Sequence, residues 1–393
     1  MRAILALFKG DKVLWGVVTL LAIFSFLPVY SASTNLSYVV GVGTPSGYLI
    51  KHLIILLFGF FLMFMVHRIP YSYFKGISIL ALPIVFLLLI YTASQGTVIA
   101  GANASRWIRI PFIGLSFQTS TLAFVSLLAY VAYYLSKYEN SPQPLGRTLL
   151  LMWLPIFGFV ALILPANFST AALLFLMVFV LAFLGRHPIK YLSGILLAGI
   201  IGLMFFVLAV KAFPDLIPNR VDTWVNRIEN FTSGDNSSGN YQIERAKIAI
   251  ASGGLFGVGA GKSVMKNFLP QSSSDFIYAI IIEEYGLIGG CILLFLYLVL
   301  LFRVIVVAHK TDDSFGKLLA LGMGLPIVFQ AFINIGVALQ VLPVTGQTLP
   351  LISSGGTSAW MTCIALGIIL SVSVNLHHDS ETSNPISELS EID

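Results

Sequence analysis

The chain has 393 residues, 57% of them hydrophobic and 10% charged, with a mean hydropathy of +0.92. A soluble protein of that length needs far more polar surface, so the composition excludes a water-soluble globular domain and implies a polytopic membrane protein. The formal charge of +5 arises mainly in short segments beside apolar runs, where it reports orientation, so no nucleic-acid partner is expected.

Apolar runs able to cross a bilayer as helices of ~20 residues lie at 13–30, 48–66, 76–92, 117–135 and 148–164, then at 168–184, 192–210, 276–304, 318–339 and 357–374. The pattern predicts an all-α polytopic membrane protein of about ten transmembrane helices. One large loop, about 211–275, separates helices seven and eight. The runs on either side of Pro165–Asn167 would together be too long for one span. The N-terminus is basic but has no small-residue cleavage signature, and reads as a retained first span.

In the ten-span arrangement Lys9, Arg68, Lys75, Lys137, Arg147, Arg186, Arg303 and Lys317 fall on one face, which is thereby cytoplasmic and holds both termini. The opposite face carries chiefly Arg106 and Arg109 in short loops. Residues 1–376 form a single transmembrane domain in this reading, and the acidic, serine-rich stretch 377–393 a disordered cytoplasmic tail. Cys291 and Cys363 lie inside apolar runs and form no disulfide or metal-ligand pattern. Gly194, Ala198 and Gly202 recur every four residues and are expected to admit a neighbouring helix. Gln330 and Asn334 put two amides on one helix face, either for interhelical hydrogen bonding or as the wall of a polar cavity.

Chemistry concentrates between Tyr241 and Gly290, where a polar, glycine-studded loop gives way to an apolar run at Asp275. A carboxylate at the mouth of a membrane helix is partly desolvated, and can be held against a lipid-linked head group at the same depth. The alternative role is a helix N-cap, which is compatible with catalysis. Glu283 and Glu284 follow at ~12 Å depth along a helix, at about 80° and 180° around from Asp275. On that geometry only Glu283 shares its cavity, and Glu284 faces another helix. The run GVGAGKS from Gly257 lacks the phosphate-loop spacing and a preceding strand; its glycines, with Gly253 and Gly254, are expected to fold the loop back on the membrane.

The sequence resembles the SEDS family (shape, elongation, division and sporulation) over nearly its whole length. The matches are Asn240-Tyr241-Gln242, SGGLFGVGAGKS from Ser252, Lys266, Phe268-Leu269-Pro270, Asp275-Phe276-Ile277 with Glu283-Glu284, and LPVTGQTLPLISSGG from Leu342. Arg106-Trp107-Ile108 and Ser116-Phe117-Gln118 with Ser120 match the segment leading into the fourth helix. The chain departs from the family at Thr121, Phe124, Asn167, Gln271 and Ser354.

The resemblance implies a glycosyltransferase that polymerises lipid II into peptidoglycan, of the division type, in the bacterial cytoplasmic membrane at the septum. Its implied partners are a class B penicillin-binding transpeptidase and other divisome membrane proteins. It makes Asp275 the catalytic residue and general base. Arg106, Trp107, Gln118, Gln242, Lys262, Lys266, Glu283, Ser353, Gly355 and Gly356 become the substrate-binding set. Arg106, Lys262 and Lys266 are the cations available to the lipid diphosphate; a divalent cation there is an open possibility, and no protein metal site is expected. Other readings are an elongation-type polymerase, a lipid II flippase, disfavoured by the absence of paired short, broken hydrophobic segments, and a non-catalytic scaffold.

Overall fold

Each apolar run becomes a helix because hydrocarbon offers the backbone no hydrogen-bond partner. The computed structural model describes residues 8–39, 44–95, 98–99, 102–103, 107–109, 116–141, 143–212, 224, 227, 231, 240–269 and 272–382. In chain order the helices are α1 (Lys12–Val39), α2 (Pro45–Val66), α3 (Tyr73–Ser94), α4 (Thr119–Lys137), α5 (Leu145–Ile163), α6 (Phe168–Leu184) and α7 (Ile189–Ala212). After the long loop come α8 (Asn240–Gly253), α9 (Ile277–Lys310), α10 (Ser314–Ala338) and α11 (Thr357–Thr382). Among the described residues nine are long and apolar enough to cross a membrane, and α6 is a shorter apolar helix of 17 residues. With α6 the count is the expected ten.

The division after α5 falls where expected. Asn167 ends the turn and caps α6, its Oδ1 accepting from Thr170 N at 3.3 Å. The fourth run starts later than its hydropathy suggests. Phe117 lies in a short strand, β4 (Ser116–Gln118), paired antiparallel with β3 (Trp107–Arg109) in the register Trp107 to Gln118. The short hairpin of β1 (Val98–Ile99) and β2 (Ala102–Asn103) precedes them.

Packing ranks the helices. In α10 and α11 67% of the most apolar window is buried, in α7 only 11%. Among the described residues the expected partner for the Gly194, Ala198, Gly202 stripe is not found: a Cβ at Gly194 or Gly202 would meet nothing within 4 Å. It is Gly199 that faces α6: a Cβ there would lie 3.2 Å from Phe175 Cζ.

Two ends of the bundle are tied separately. At one, Asp11 pairs with Arg303, its N–H donates to Ser373 Oγ (3.0 Å), and Lys75 Nζ lies 3.9 Å from Asp313. At the other, Gln347 Nε2 donates to Thr170 Oγ1 (3.0 Å) and Gln118 N to Thr357 Oγ1 (3.3 Å). Asp275 belongs to the second end. α11 continues to Thr382, past the expected boundary at 376, and 383–393 lie outside the described residues.

The eighth run is not one continuous helix. At 34 residues, ~51 Å long at 1.5 Å per residue, α9 exceeds the ~30 Å hydrocarbon core. It is interrupted at Gly286 (φ 70, ψ −176), where the glycine loop inserts. Glu283 O and Glu284 O accept from Val258 N (2.9 Å) and Gly259 N (3.0 Å), while Leu287 N and Ile288 N donate to Gly254 O (2.9 Å) and Leu255 O (3.3 Å). The two ladder bonds interrupted there, Leu287 N to Glu283 O and Ile288 N to Glu284 O, are thus replaced by four bonds to the loop, which give all four groups a partner at membrane depth.

Candidate functional site

A cavity of about 910 Å³ opens between α2, α4, α6, α10 and α11 at the Asp275 end of the bundle. Its upper wall is polar, with Asp275, Ser272, Gln330, Thr348 and Gly355. Its floor is apolar, with Leu128, Met323, Ile327, Met361 and Ala365. Such a pocket suits a molecule with a polar head and an apolar chain.

Asp275 sits on a turn fixed from three directions. Asn334 Nδ2, on a side chain 1% exposed in α10, donates both to Asp275 O (2.9 Å) and to Gln347 O (2.7 Å). Ser353 Oγ donates to Ser274 O (2.6 Å) and accepts from Leu349 N (2.8 Å), and Ser354 N donates to Ser273 O (2.9 Å). Gly346, with φ +69, brings the loop after α10 against the carboxylate; a Cβ there would lie 3.5 Å from Asp275 Oδ2. The N-cap position of α9 is Phe276, which makes no side-chain capping bond, so Asp275 stands one residue outside the cap position.

Of the residues expected to serve the substrate, Trp107, Gln118, Gly355 and Gly356 line this cavity with Asp275. β3 and β4 carry Trp107 and Gln118 there as cross-strand partners. Ser353 supports the wall from behind through its bond to Ser274. Arg106 lies outside the described residues. Gln242, in the first turn of α8, does not line the cavity, and neither do Lys262, Lys266 or Glu283.

The expectation that Glu283 shares the cavity with Asp275 is corrected by these contacts. Its carboxylate, 2% exposed, accepts from Ser263 Oγ, Val264 N (2.9 Å) and Met265 N (3.2 Å), pinning the glycine loop. A helix running unbroken from Asp275 would bring Glu283 towards its side, but the helix begins only at Ile277, after Asp275. Glu284 does face another helix: its Oε1 accepts from Ser31 Oγ of α1 and from Ser263 N (3.3 Å). Lys266 Nζ closes that cluster, donating to Ser31 Oγ (3.0 Å) and Gly261 O (2.7 Å).

Among the described residues Lys51 and Arg227 are the lysine and arginine side chains that line the cavity, and both escaped the sequence reading. Lys51 had a signal, a charge inside an apolar run; Arg227, whose Nη1 donates to Val344 O (3.1 Å), had none. Gln330 settles the choice left open for its helix face, since it lines the cavity while Nε2 donates to Thr348 O (2.9 Å). Thr121 and Phe124 line it as well, and Thr121 Oγ1 bonds back to Gln118 O (2.7 Å). Among the described residues no three His, Cys, Asp or Glu side chains gather as a metal site.

Comparison with known proteins agrees over the length of the chain. The probable peptidoglycan glycosyltransferase FtsW of Coxiella burnetii is 33% identical over 369 residues, covering 91% of this chain and 95% of that one. The rod shape determining protein RodA of Thermus thermophilus superposes with a TM-score of 0.66 at 26% identity, covering 94% and 98%. A chain from a structure described as the structural coordination of polymerization and crosslinking by a peptidoglycan synthase complex gives 0.70 at 25% identity, with the same coverage. The family described as cell cycle protein, FtsW/RodA/SpoVE, matches residues 11–378, and the chain belongs to it.

Proposed function

We propose that this chain is a peptidoglycan glycosyltransferase of the cell-division type and that the Asp275 cavity is its polymerising site. Asp275 takes the proton of the acceptor sugar's 4-hydroxyl as that oxygen attacks the anomeric carbon of the donor; the glycosidic bond forms and the lipid diphosphate leaves. The observation that carries this reading is a single buttressed carboxylate on the polar wall of a cavity whose floor is apolar, matching a sugar head on a lipid chain. Lipid II is the substrate, consumed on the outer face of the bacterial cytoplasmic membrane at the division septum. Residues 1–376 act as one transmembrane domain, with 377–393 a cytoplasmic tail.

The name FtsW among the relatives and the synthase complex among the similar structures support a class B penicillin-binding transpeptidase as partner, with further divisome proteins around it. A divalent cation fits only as a companion of the substrate. Among the described residues Asp275 is the one carboxylate on the cavity wall, so substrate phosphates would have to supply further ligands. Trp107, Gln118, Gly355 and Gly356 contact the sugar head, while Glu283, Lys262 and Lys266 act through the docked loop; Gln242 and Arg106 belong to the same substrate-binding set.

A flippase remains the rival class because α9 does contain a break. That break is filled by the chain's own loop, and Gly286 does not line the cavity, unlike the substrate-facing breaks of transporters. The test supplies labelled lipid II to purified protein with a catalytically dead partner. Wild type should yield glycan polymer, and Asp275→Asn should reduce the rate by on the order of 10² to 10⁴ with expression and partner binding intact. Near-normal polymer from folded Asp275→Asn would place the base elsewhere; lipid movement without polymer would favour the flippase.

A further inference from the structure

We infer that Lys51 is the cation that binds the diphosphate of the lipid-linked substrate, an assignment that rests on the glycosyltransferase reading. Lys51 lies six residues inside α2, ~9 Å from its first residue at 1.5 Å per residue, within a segment of spanning length and hydropathy. A cation at that depth is costly and is retained where it faces a polar cavity or a ligand. Tyr48, Lys51, His52 and Ile55 all line the Asp275 cavity, and their i, i+3, i+4, i+7 spacing marks one continuous face of α2. The faces turned away carry the exposed Ile50, Ile54 and Leu57, so the helix presents hydrocarbon to lipid and its ammonium to the cavity.

The orientation of that face is fixed. His52 is 4% exposed and its Nε2 lies 2.8 Å from Ser25 Oγ of α1, while Ile55 O accepts from Trp360 Nε1 of α11 (3.0 Å). Lys51 itself is exposed, and among the described residues the ion pairs are Lys75 with Asp313 and Arg303 with Asp11, neither involving it. Arg227, the other basic residue of the wall, already spends Nη1 on Val344 O.

The chemistry asks for such a group. A dianionic diphosphate entering a cavity that holds the Asp275 carboxylate meets like charge, so a cation must sit where the diphosphate rests. The same cation stabilises the charge that grows on the leaving diphosphate as the bond to the anomeric carbon breaks. Lipid head groups offer similar phosphate chemistry, and the two sources separate by experiment.

Full-length protein in phosphatidylcholine nanodiscs is titrated with radiolabelled farnesyl diphosphate, with farnesol as the uncharged probe. Wild type should prefer the diphosphate. Lys51→Met should weaken diphosphate binding at least tenfold while farnesol binding stays within twofold, Lys51→Arg should stay within about threefold of wild type, and Lys75→Met should change neither. If Lys51→Met loses both probes through misfolding, the diphosphate-to-alcohol ratio is read from Lys51→Gln, where it should fall tenfold. An unchanged ratio, no diphosphate preference in wild type, or equal competition by phosphatidylglycerol overturns the assignment. None of these readouts needs polymerisation, so a failure here is distinct from an active Asp275→Asn, which would sink the glycosyltransferase reading.

Discussion

Asn334 shows how one buried amide can govern chemistry it does not perform. Its Nδ2 joins the Asp275 turn to the loop carrying Gly346 and Gln347, two segments 59 and 13 residues away in sequence. Asn334→Leu keeps the helix apolar but leaves two backbone carbonyls without their donor, at about 1–3 kcal/mol each. The carboxylate then loses its fixed approach to the substrate, and a 1 Å misplacement can cost on the order of 10²-fold. We expect kcat for glycan polymerisation to fall at least tenfold with KM within threefold, measured as initial rates against lipid II concentration. A wild-type kcat in Asn334→Leu would show that Ser353 and Ser354 hold the turn unaided. Asp275 does not take the N-cap role considered for it, since Phe276 holds that position; Asp275→Asn tests the base because it keeps the side chain's size.

The joint between the glycine loop and α9 is the element on which the site is hung. Gly257, with φ +80, has no room for a side chain: a Cβ would lie 2.2 Å from Glu284 O. Gly254, with φ +53, has open space around it, so alanine there meets only the left-handed penalty of about 1–2 kcal/mol. Gly257→Ala should therefore undock the loop, seen as faster protease cleavage between 254 and 268 and lost polymerisation, with membrane insertion preserved. Gly254→Ala should be markedly milder on both readouts. Equal effects would mean that backbone conformation, and not the close approach to α9, controls the joint. The acids Glu283 and Glu284 belong to this element: one anchors residues 263–265, the other ties the loop to Ser31 of α1.

At the scale of the molecule, the alternation of ten spans separates a basic end, near Arg68, Lys75 and Arg303, from the Asp275 end. A reporter fused after Glu229 should be active only outside the cytoplasm and one after Asn384 only inside, because short basic loops are retained on the cytoplasmic side. The reverse at either site would overturn the orientation. The peripheral α7, whose Gly194 and Gly202 meet no partner among the described residues, lies at the edge of this bundle.

The sequence by itself determined the spans, the break between α5 and α6, the turn-forming glycines and Asp275. Each is a local signal, in hydropathy over one helix length, in backbone freedom, or in a charge beside an apolar run. Trp107, Gln118, Gly355 and Gly356 were legible only through the family resemblance. Tertiary structure alone decided which of these meet. A helical wheel can rank Glu283 against Asp275 only if both lie on one unbroken helix, and the helix that carries Glu283 starts at Ile277, after Asp275. Arg227, Gln330 and the loop from Thr345 to Thr348 reach the cavity from segments far apart in sequence, because hydrocarbon compels every exposed backbone polar group at the break and in the loops to find a partner inside the protein. Those long-range pairings, invisible to any local window, are what set the carboxylate on the wall of its cavity.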